Sequence, residues 1–417
     1  MTQPKLKVLI IPSWYPTKKN FVTGSFFQEQ AALIADNADV KVLYGKQRDI
    51  CLFEFYKKRI KYKIKVQTYN CERIYADAIE PPECIAFYCD RVVGLSEKKN
   101  YYFMLFQYEI MLKELIAQGW KPDVIHAHST DEGGIVAYKL AEMYSLPTVI
   151  TEHQVFLLHQ KTEFKRKKIM EALEGVTQVA AVSNHQMRCI LMHNIVCNPI
   201  ITGNFIDENL FGLISKSKSD KIFKIISVTY PSYIKDVETF FKSIEEVIRR
   251  GHCDVQVTVI GNNSFDDLNN ANIEIYRSLA SRHNIDAYCV FVPFVKRSEL
   301  SAFYHESDVF VSTSIAETFG VAVREAMATG LPVISTANGG IDDTIDDSNG
   351  IKVNIRDVSA IAEAIIKIKT KQIDFDPAKI REKIVNSYGR NAFSNILLNL
   401  YKDTIKNFND DKGKRND

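Results

Sequence analysis

The chain has 417 residues, more than one hydrophobic core usually supports, so two domains of roughly 200 residues each are expected. Hydrophobic residues make up 46% and charged residues 25%, the balance of a folded chain and not of a disordered one. The 53 basic and 51 acidic residues leave a net charge of +2, which excludes a global field drawing the protein to nucleic acid or to a membrane.

At the N-terminus Lys5 and Lys7 flank only a few apolar residues before Pro12, which reads as a first strand and falls short of a signal-peptide core. Short β-branched runs then alternate with longer amphipathic segments. The predicted strands of the first half are Val8–Ile11, Val40–Tyr44, Val124–His126, Thr148–Thr151 and Val179–Val182. Those of the second half are Lys224–Val228, Val255–Ile260, Val290–Val292, Val309–Val311 and Val333–Ser335. That alternation predicts an α/β fold of two doubly wound domains with parallel sheets. Tyr101 to Leu112 is the longest apolar stretch; Gln107 and Glu109 break it, and it is shorter than the roughly 20 residues of a membrane span. Cys197 to Lys221, with Pro199, two glycines and a polar run, reads as the linker, and Asn391 to Asn407 as a last helix followed by a frayed polar tail. The eight cysteines are scattered without a C-x-x-C pair, which argues against structural zinc and a disulfide framework and fits a reducing cytosol.

Folds of this kind bind nucleotides at the carboxyl ends of their strands. A dehydrogenase is disfavoured there, because Pro12-Ser-Trp-Tyr-Pro16 and then Gly24 follow the first strand in place of G-x-G-x-x-G. The strongest signal is the strand Asp308 to Ser314 followed by a loop and helix from Ile315 to Glu325. Glu317 and Glu325 flank a predicted helix start whose amides, from Phe319, Gly320 and Val321, suit a phosphate. A carboxylate accepts hydrogen bonds from paired ribose or hexose hydroxyls, which explains acids at these positions. Two isolated glutamates would more often only complement the positive end of a helix.

Glu317 to Ile334, followed by Gly339-Gly340, resembles the "E-x-F-G-x-x-x-x-E-A-M-A-x-G-x-P-V-I" stretch of the retaining glycosyltransferases of family 4. Trp14-Tyr15-Pro16 with Gly24, Phe27 and Glu29-Gln30 resembles the family's first loop and helix. Pro122 to His128, Leu146 to His153, Ala181-Val-Ser183 and the Asn204, Asp207, Phe211 spacing extend the likeness along nearly the whole chain. The resemblance implies a GT-B fold, two Rossmann-like domains facing a central cleft: residues 1–203 for the acceptor, 204–390 for the sugar nucleotide, and 391–408 as a helix returning to the first domain.

It also implies retention of anomeric configuration, with no metal and no cofactor, the UDP- or GDP-sugar being a substrate. Implied catalytic residues are His153, Lys235 and Glu317. Implied donor contacts are Gly24, Tyr230, Lys235, Glu317, Phe319, Gly320, Val321 and Glu325. Lys235 fills the lysine of the family's cationic pair, but Tyr230 stands in place of its arginine and Thr229 in place of the preceding glycine, which makes Arg324 the candidate for a replacement cation. Asp343 replaces the glutamate of the family's "G-G-x-x-E". His126 and His128 are weaker candidates than His153. The implied partner is a glycan or polyprenyl-linked acceptor of bacterial surface polysaccharide synthesis.

Asp374-Phe-Asp376 looks like a metal-binding pair, yet Asp376 before Pro377 reads as a helix N-cap. Tyr56 to Val66 reads as a strand with Lys61, Lys63 and Lys65 on one face, and Lys165 to Lys168 forms a second basic cluster. Such runs are usually solvated faces. The alternative is docking to anionic lipid, placing the protein in the cytoplasm or on the inner face of the cell membrane. Two further functions remain open on the sequence: a sugar-nucleotide epimerase, and a non-catalytic nucleotide-sugar-binding subunit, the latter favoured by Tyr230.

Overall fold

The computed structural model describes residues 4–17, 23–60, 69, 71–74, 82–213, 222–261 and 271–416. The chain divides into two units: Met1–Val182 with Gln186–Thr202 and Ser394–Asp417, and Ser183–His185 with Gly203–Phe393.

In chain order the first part runs β1 (Leu6–Pro12), α1 (Ser25–Ala35), β2 (Ala38–Ile50), α2 (Leu52–Ile60), β3 (Glu83–Val92), α3 (Glu97–Ala117), β4 (Val124–His128), a π-helical turn (Thr130–Gly134), α4 (Ile135–Tyr144), β5 (Thr148–Glu152), α5 (Glu163–Gly175), β6 (Gln178–Ala181), α6 (Asn184–Leu191) and β7 (Ile200–Ile201). Its strands pair in parallel in the order β3-β2-β1-β4-β5-β6-β7. Leu9, Ile11, Phe87, Ile125 and Ile150 are buried against Leu112, Leu140 and Leu173 of the covering helices. Strands buried on both faces read as continuous β-branched runs, which is why these were visible in the sequence.

The second part runs β8 (Phe223–Val228), α7 (Val237–Arg249), β9 (Val255–Ile260), α8 (Ala271–Arg282), β10 (Cys289–Val292), α9 (Arg297–Glu306), β11 (Val309–Ser312), α10 (Val321–Ala328), β12 (Val333–Thr336), β13 (Gly350–Val353), α11 (Val358–Lys369), α12 (Pro377–Tyr388) and α13 (Arg390–Asn416). The sheet order is β10-β9-β8-β11-β12-β13, again parallel. Phe240, Phe241, Ile244 and Val247 bury one stripe of α7 with Val257, Tyr276 and Ile365.

Several expectations are corrected. Residues 56–60, read as part of a basic strand, belong to helix α2, where Leu52, Phe53 and Tyr56 are exposed; Lys61, Lys63 and Lys65 lie outside the described residues. The stretch read as a linker contains β7, and Phe205, Ile206 and Phe211 are buried in the second unit, held by Arg381 through the carbonyls of Glu208 and Phe211. The tail expected to fray continues α13 to Asn416, with the Lys412 ammonium 4.5 Å from the Phe408 ring one turn earlier. β3, β7 and β13 were not read from the sequence: the first interleaves Ile85, Phe87 and Cys89 with Ala86 and Tyr88, blurring the period of two, and the others are short. Asp376 does cap α12, accepting from the Ala378 amide at 2.9 Å, with Pro377 in the first turn.

All eight cysteines are free thiols. Cys51 and Cys253 are exposed, whereas burial pushes Cys84 and Cys289 up to about 12.

His126, on β4, is fully buried, with Nδ1 2.8 Å from the Tyr401 hydroxyl of α13 and Nε2 2.8 Å from Thr151 Oγ1. Burial pushes its pKa from 6.5 down to about 3, and lowers neighbouring His128 in the same direction. Between those values the unfolded chain takes up the proton and the folded chain does not, so stability is full above the unfolded pKa and falls as pH is lowered. The urea midpoint of the wild type is therefore expected to be lower at pH 5 than at pH 7, and His126→Gln should flatten part of that dependence. Identical slopes for the two proteins would show that His126 titrates normally.

Candidate active site

In the second unit the strand order reverses between β8 and β11, and a doubly wound sheet opens its crevice at that switch point. Tyr230 and Lys235 lie in the loop after β8, and Glu317 in the loop after β11. The two loops are stitched together: the Ile315 amide donates to the Ile234 carbonyl at 2.7 Å, and Thr313 Oγ1 donates to the carbonyls of Lys235 and Asp236 at 3.2 and 3.0 Å.

That stitching sets the charges. Lys235 Nζ lies 2.5 Å from Glu317 Oε1, which also accepts from Ser314 Oγ at 2.9 Å. The same ammonium stands 5.3 Å from the centre of the Tyr230 ring. Where the family has a second cation, this chain therefore holds an aromatic face beside the first. The Glu317 amide donates to the Asn338 carbonyl at 3.0 Å, bringing in the loop after β12. Gly340 of that loop comes so close that a Cβ would sit 2.7 Å from the Glu317 carbonyl oxygen.

Gly320 is the N-cap of α10, in the left-handed region at φ 72°. The first amides of a helix lack intrahelical partners, so those of Val321 and the next two residues are free of helix bonds and attract an anion. Phe319 is buried with its ring edge-on to Tyr388 at 5.1 Å, so its side chain anchors the loop just before the helix start.

Arg324 corrects an expectation. It is only 2% exposed; its guanidinium lies 3.8 Å from the Phe319 ring, and Nη2 donates to the Gly340 carbonyl and to Thr344 Oγ1 at 3.1 and 2.5 Å. It braces the glycine loop from beneath and is not an open cation of the crevice. Glu325 is 3% exposed and meets Arg297 Nε, at the start of α9, at 2.5 Å. Sequence reasoning missed Arg297, since nothing local marks one arginine of α9 as the partner of an acid on α10. Asp343, the shortened acid, accepts from Asn184 Nδ2 at 2.5 Å.

The first unit holds the remaining candidates. Gly24 directly precedes α1. His153 follows β5 and is 7% exposed, its Nε2 3.0 Å from His128 Nδ1. Phe27 of α1 stacks on His128 at 4.6 Å and meets His153 edge-on at 4.9 Å. His126 and His128 are thus buried partners behind His153. Together the structure gathers Tyr230, Lys235 and Glu317, sets Glu325 beside Arg297, and groups His153 with His128.

Two doubly wound parallel sheets, with paired acids around a helix start at the second one's switch point, define the GT-B class of glycosyltransferases. The chain belongs to that class by family as well: residues 73–207 match the Glycosyltransferase Family 4 model and residues 221–371 the Glycosyl transferases group 1 model. It is similar to glycogen synthase of Mycobacterium tuberculosis, 23% identical over a stretch that covers 60% of each chain, so the match spans under two thirds of that relative. Among solved structures it resembles sucrose-phosphate synthase from Thermosynechococcus elongatus, with TM-score 0.70 and 18% identity over 96% of this chain and 98% of that one. It also resembles HepE from Anabaena in complex with UDP and glucose, with TM-score 0.66 and 14% identity over 95% and 100% of the chains.

The close approach at Gly340 gives a direct check. Gly340→Ala must push the Glu317 backbone aside and should cost about 1–3 kcal/mol by overpacking. Gly212→Ala, where a Cβ meets nothing within 4 Å, serves as the control and should be neutral or stabilise by about 0.4–1 kcal/mol. Equal denaturant midpoints for the two variants would contradict the packing described.

Proposed function

We propose that the protein is a retaining hexosyltransferase that moves a sugar from a nucleotide diphosphate-sugar to a glycan or lipid-linked acceptor in bacterial surface polysaccharide synthesis. The observation that carries this reading is the Lys235–Glu317 pair, set beside the free amides of α10 at the switch point of the second sheet. A neighbour in fold, HepE, is described in complex with UDP-glucose, which supports a nucleotide-sugar donor.

In this reading Lys235 and the amides of Phe319, Gly320 and Val321 hold the diphosphate without a metal ion or cofactor. Glu317 accepts hydrogen bonds from hydroxyls of the transferred sugar, and Glu325, oriented by Arg297, accepts from the ribose. The acceptor hydroxyl attacks the anomeric carbon from the face the diphosphate leaves, and a departing phosphate oxygen takes its proton. Negative charge grows on the diphosphate as that bond breaks, so a fixed ammonium favours the transition state over the bound donor.

Lys235→Ala is expected to lower turnover by roughly a hundred- to thousand-fold while changing donor affinity far less. Glu325→Ala should weaken nucleotide binding, measured by calorimetry with UDP and GDP. Tyr230→Arg should preserve or raise activity. Near-normal turnover in Lys235→Ala would remove the lysine from the mechanism.

Docking to the inner membrane face is part of the same reading. Helix α2 exposes Leu52, Phe53 and Tyr56 beside Lys57, and the lysines at 61, 63 and 65 follow it in sequence. Replacing Lys61, Lys63 and Lys65 by serine is expected to lower co-sedimentation with phosphatidylglycerol vesicles at low salt and leave nucleotide binding unchanged. Undiminished co-sedimentation would return the cluster to a solvated face.

A further inference from the structure

The ion pairs around the second unit's crevice neutralise one another. Lys235 meets Glu317, Arg297 meets Glu325, and Arg356 Nε lies 3.6 Å from Asp236 Oδ2. Cations paired in this way leave little net field for an anion approaching the start of α10. Tyr230, beside Lys235, offers a ring and no charge.

Arg324, in the first turn of α10, is arranged differently. It is buried, and among the described residues no carboxylate lies within ion-pair distance of it. Its hydrogen bonds to the Gly340 carbonyl and Thr344 Oγ1 both come from Nη2; Nε and Nη1 have no acceptor among the described residues. A guanidinium keeps its proton even in an interior, so this is a standing buried charge without a counter-ion. Such a charge opposes stability unless something compensates it. Two aromatic rings do so in part: the guanidinium carbon lies 3.8 Å from the centre of the Phe319 ring and 5.0 Å from that of Tyr388.

The unpartnered side of the guanidinium lies against the helix start. A Cβ built on Gly320, the N-cap of α10, would sit 3.7 Å from Arg324 Nη1. The same Cβ would meet Ile341 Cγ2 at 2.4 Å, so glycine lets the cap settle onto the residues beneath it. The nitrogen without an acceptor therefore lies beside the peptide that leads into the free amides of α10. A buried charge is screened far less by water and salt than an exposed one, and its field adds to that of the helix amides.

We propose that Arg324 is a positioning residue of the donor site, whose buried charge acts through the first turn of α10 on the diphosphate of a nucleotide sugar without touching it. The proposal rests on the nucleotide-sugar reading above and deepens it by naming a second positive charge for that site. It also accounts for an arginine kept inside the fold with two nitrogens unsatisfied.

The test is NMR titration of the full-length protein with uridine, UMP and UDP, and with guanosine, GMP and GDP. Wild type is compared with Arg324→Gln, Arg324→Met and Arg324→Lys, at low and at high salt. Gln can still donate to the Gly340 carbonyl but carries no charge, whereas Lys carries the charge without the planar fork; Met supplies the uncharged arm if the Gln variant does not fold. Gln and Met are expected to weaken diphosphate binding about tenfold or more at either salt concentration and to leave nucleoside binding unchanged. The monophosphates should fall between, and Lys should recover most of the loss. A neutral variant that binds UDP and GDP like wild type, a loss equal for nucleoside and diphosphate, or a Lys variant as weak as Gln would each overturn the proposal and leave Arg324 as a brace of the glycine loop. Wild type that binds none of these ligands would overturn the function proposed above and this proposal with it, a result distinct from any difference among the variants.

Discussion

The contact between Lys235 and Glu317 organises the second unit's crevice, because each partner belongs to a loop that is itself fixed by backbone bonds to the other. Thr313 and Ile315 tie the loop after β11 to the loop after β8, and the Glu317 amide and the Gly340 backbone tie in the loop after β12. Both side chains are partly buried, at 18% and 16% exposure, so neither charge is left fully to water. Breaking such a pair by removing one member costs more than the pair contributes, since the other charge keeps its desolvation without its partner. A ligand that brings its own negative charge to Lys235 replaces one partner with another, and the loops need not be rebuilt.

The two units handle buried polarity in opposite ways. The second pairs its ions, Lys235 with Glu317 and Arg297 with Glu325. The first keeps imidazoles neutral, with His126 and His128 lowered by burial, His126 bonded to Tyr401 and Thr151 and His128 bonded to His153 through Nδ1. Its buried carboxylate Asp90 is held by ions: burial would raise it, but Arg48, Lys58 and Tyr69 outweigh that and hold it below the usual range.

Much of this was legible in the sequence, for physical reasons that differ by residue. Parallel strands covered on both faces must be apolar throughout, so ten of them stood out as β-branched runs. Glu317, Phe319, Gly320 and Glu325 were legible because a strand, a tight loop and a helix start fix their spacing within one short segment. Arg297 and Arg324 were not, because their roles depend on what lies across the fold: the first meets an acid 28 positions away, and the second turns inward under Gly340 when a charged residue on a helix would ordinarily face water. Helix α2 was misread since alternating lysines suggest a strand, while the residues before them carry the apolar side chains of a helix.

The distribution of thiols has a practical consequence. Six of the eight cysteines are buried or half-buried, leaving Cys51 in the first unit and Cys253 in the second as the exposed pair. Thiol-directed dyes react with accessible sulfur, and burial holds Cys84 and Cys289 in the protonated, unreactive form at neutral pH. The natural sequence therefore supplies one spectroscopic handle on each unit, so that a fluorophore attached there would follow the unfolding of either unit without altering a single residue.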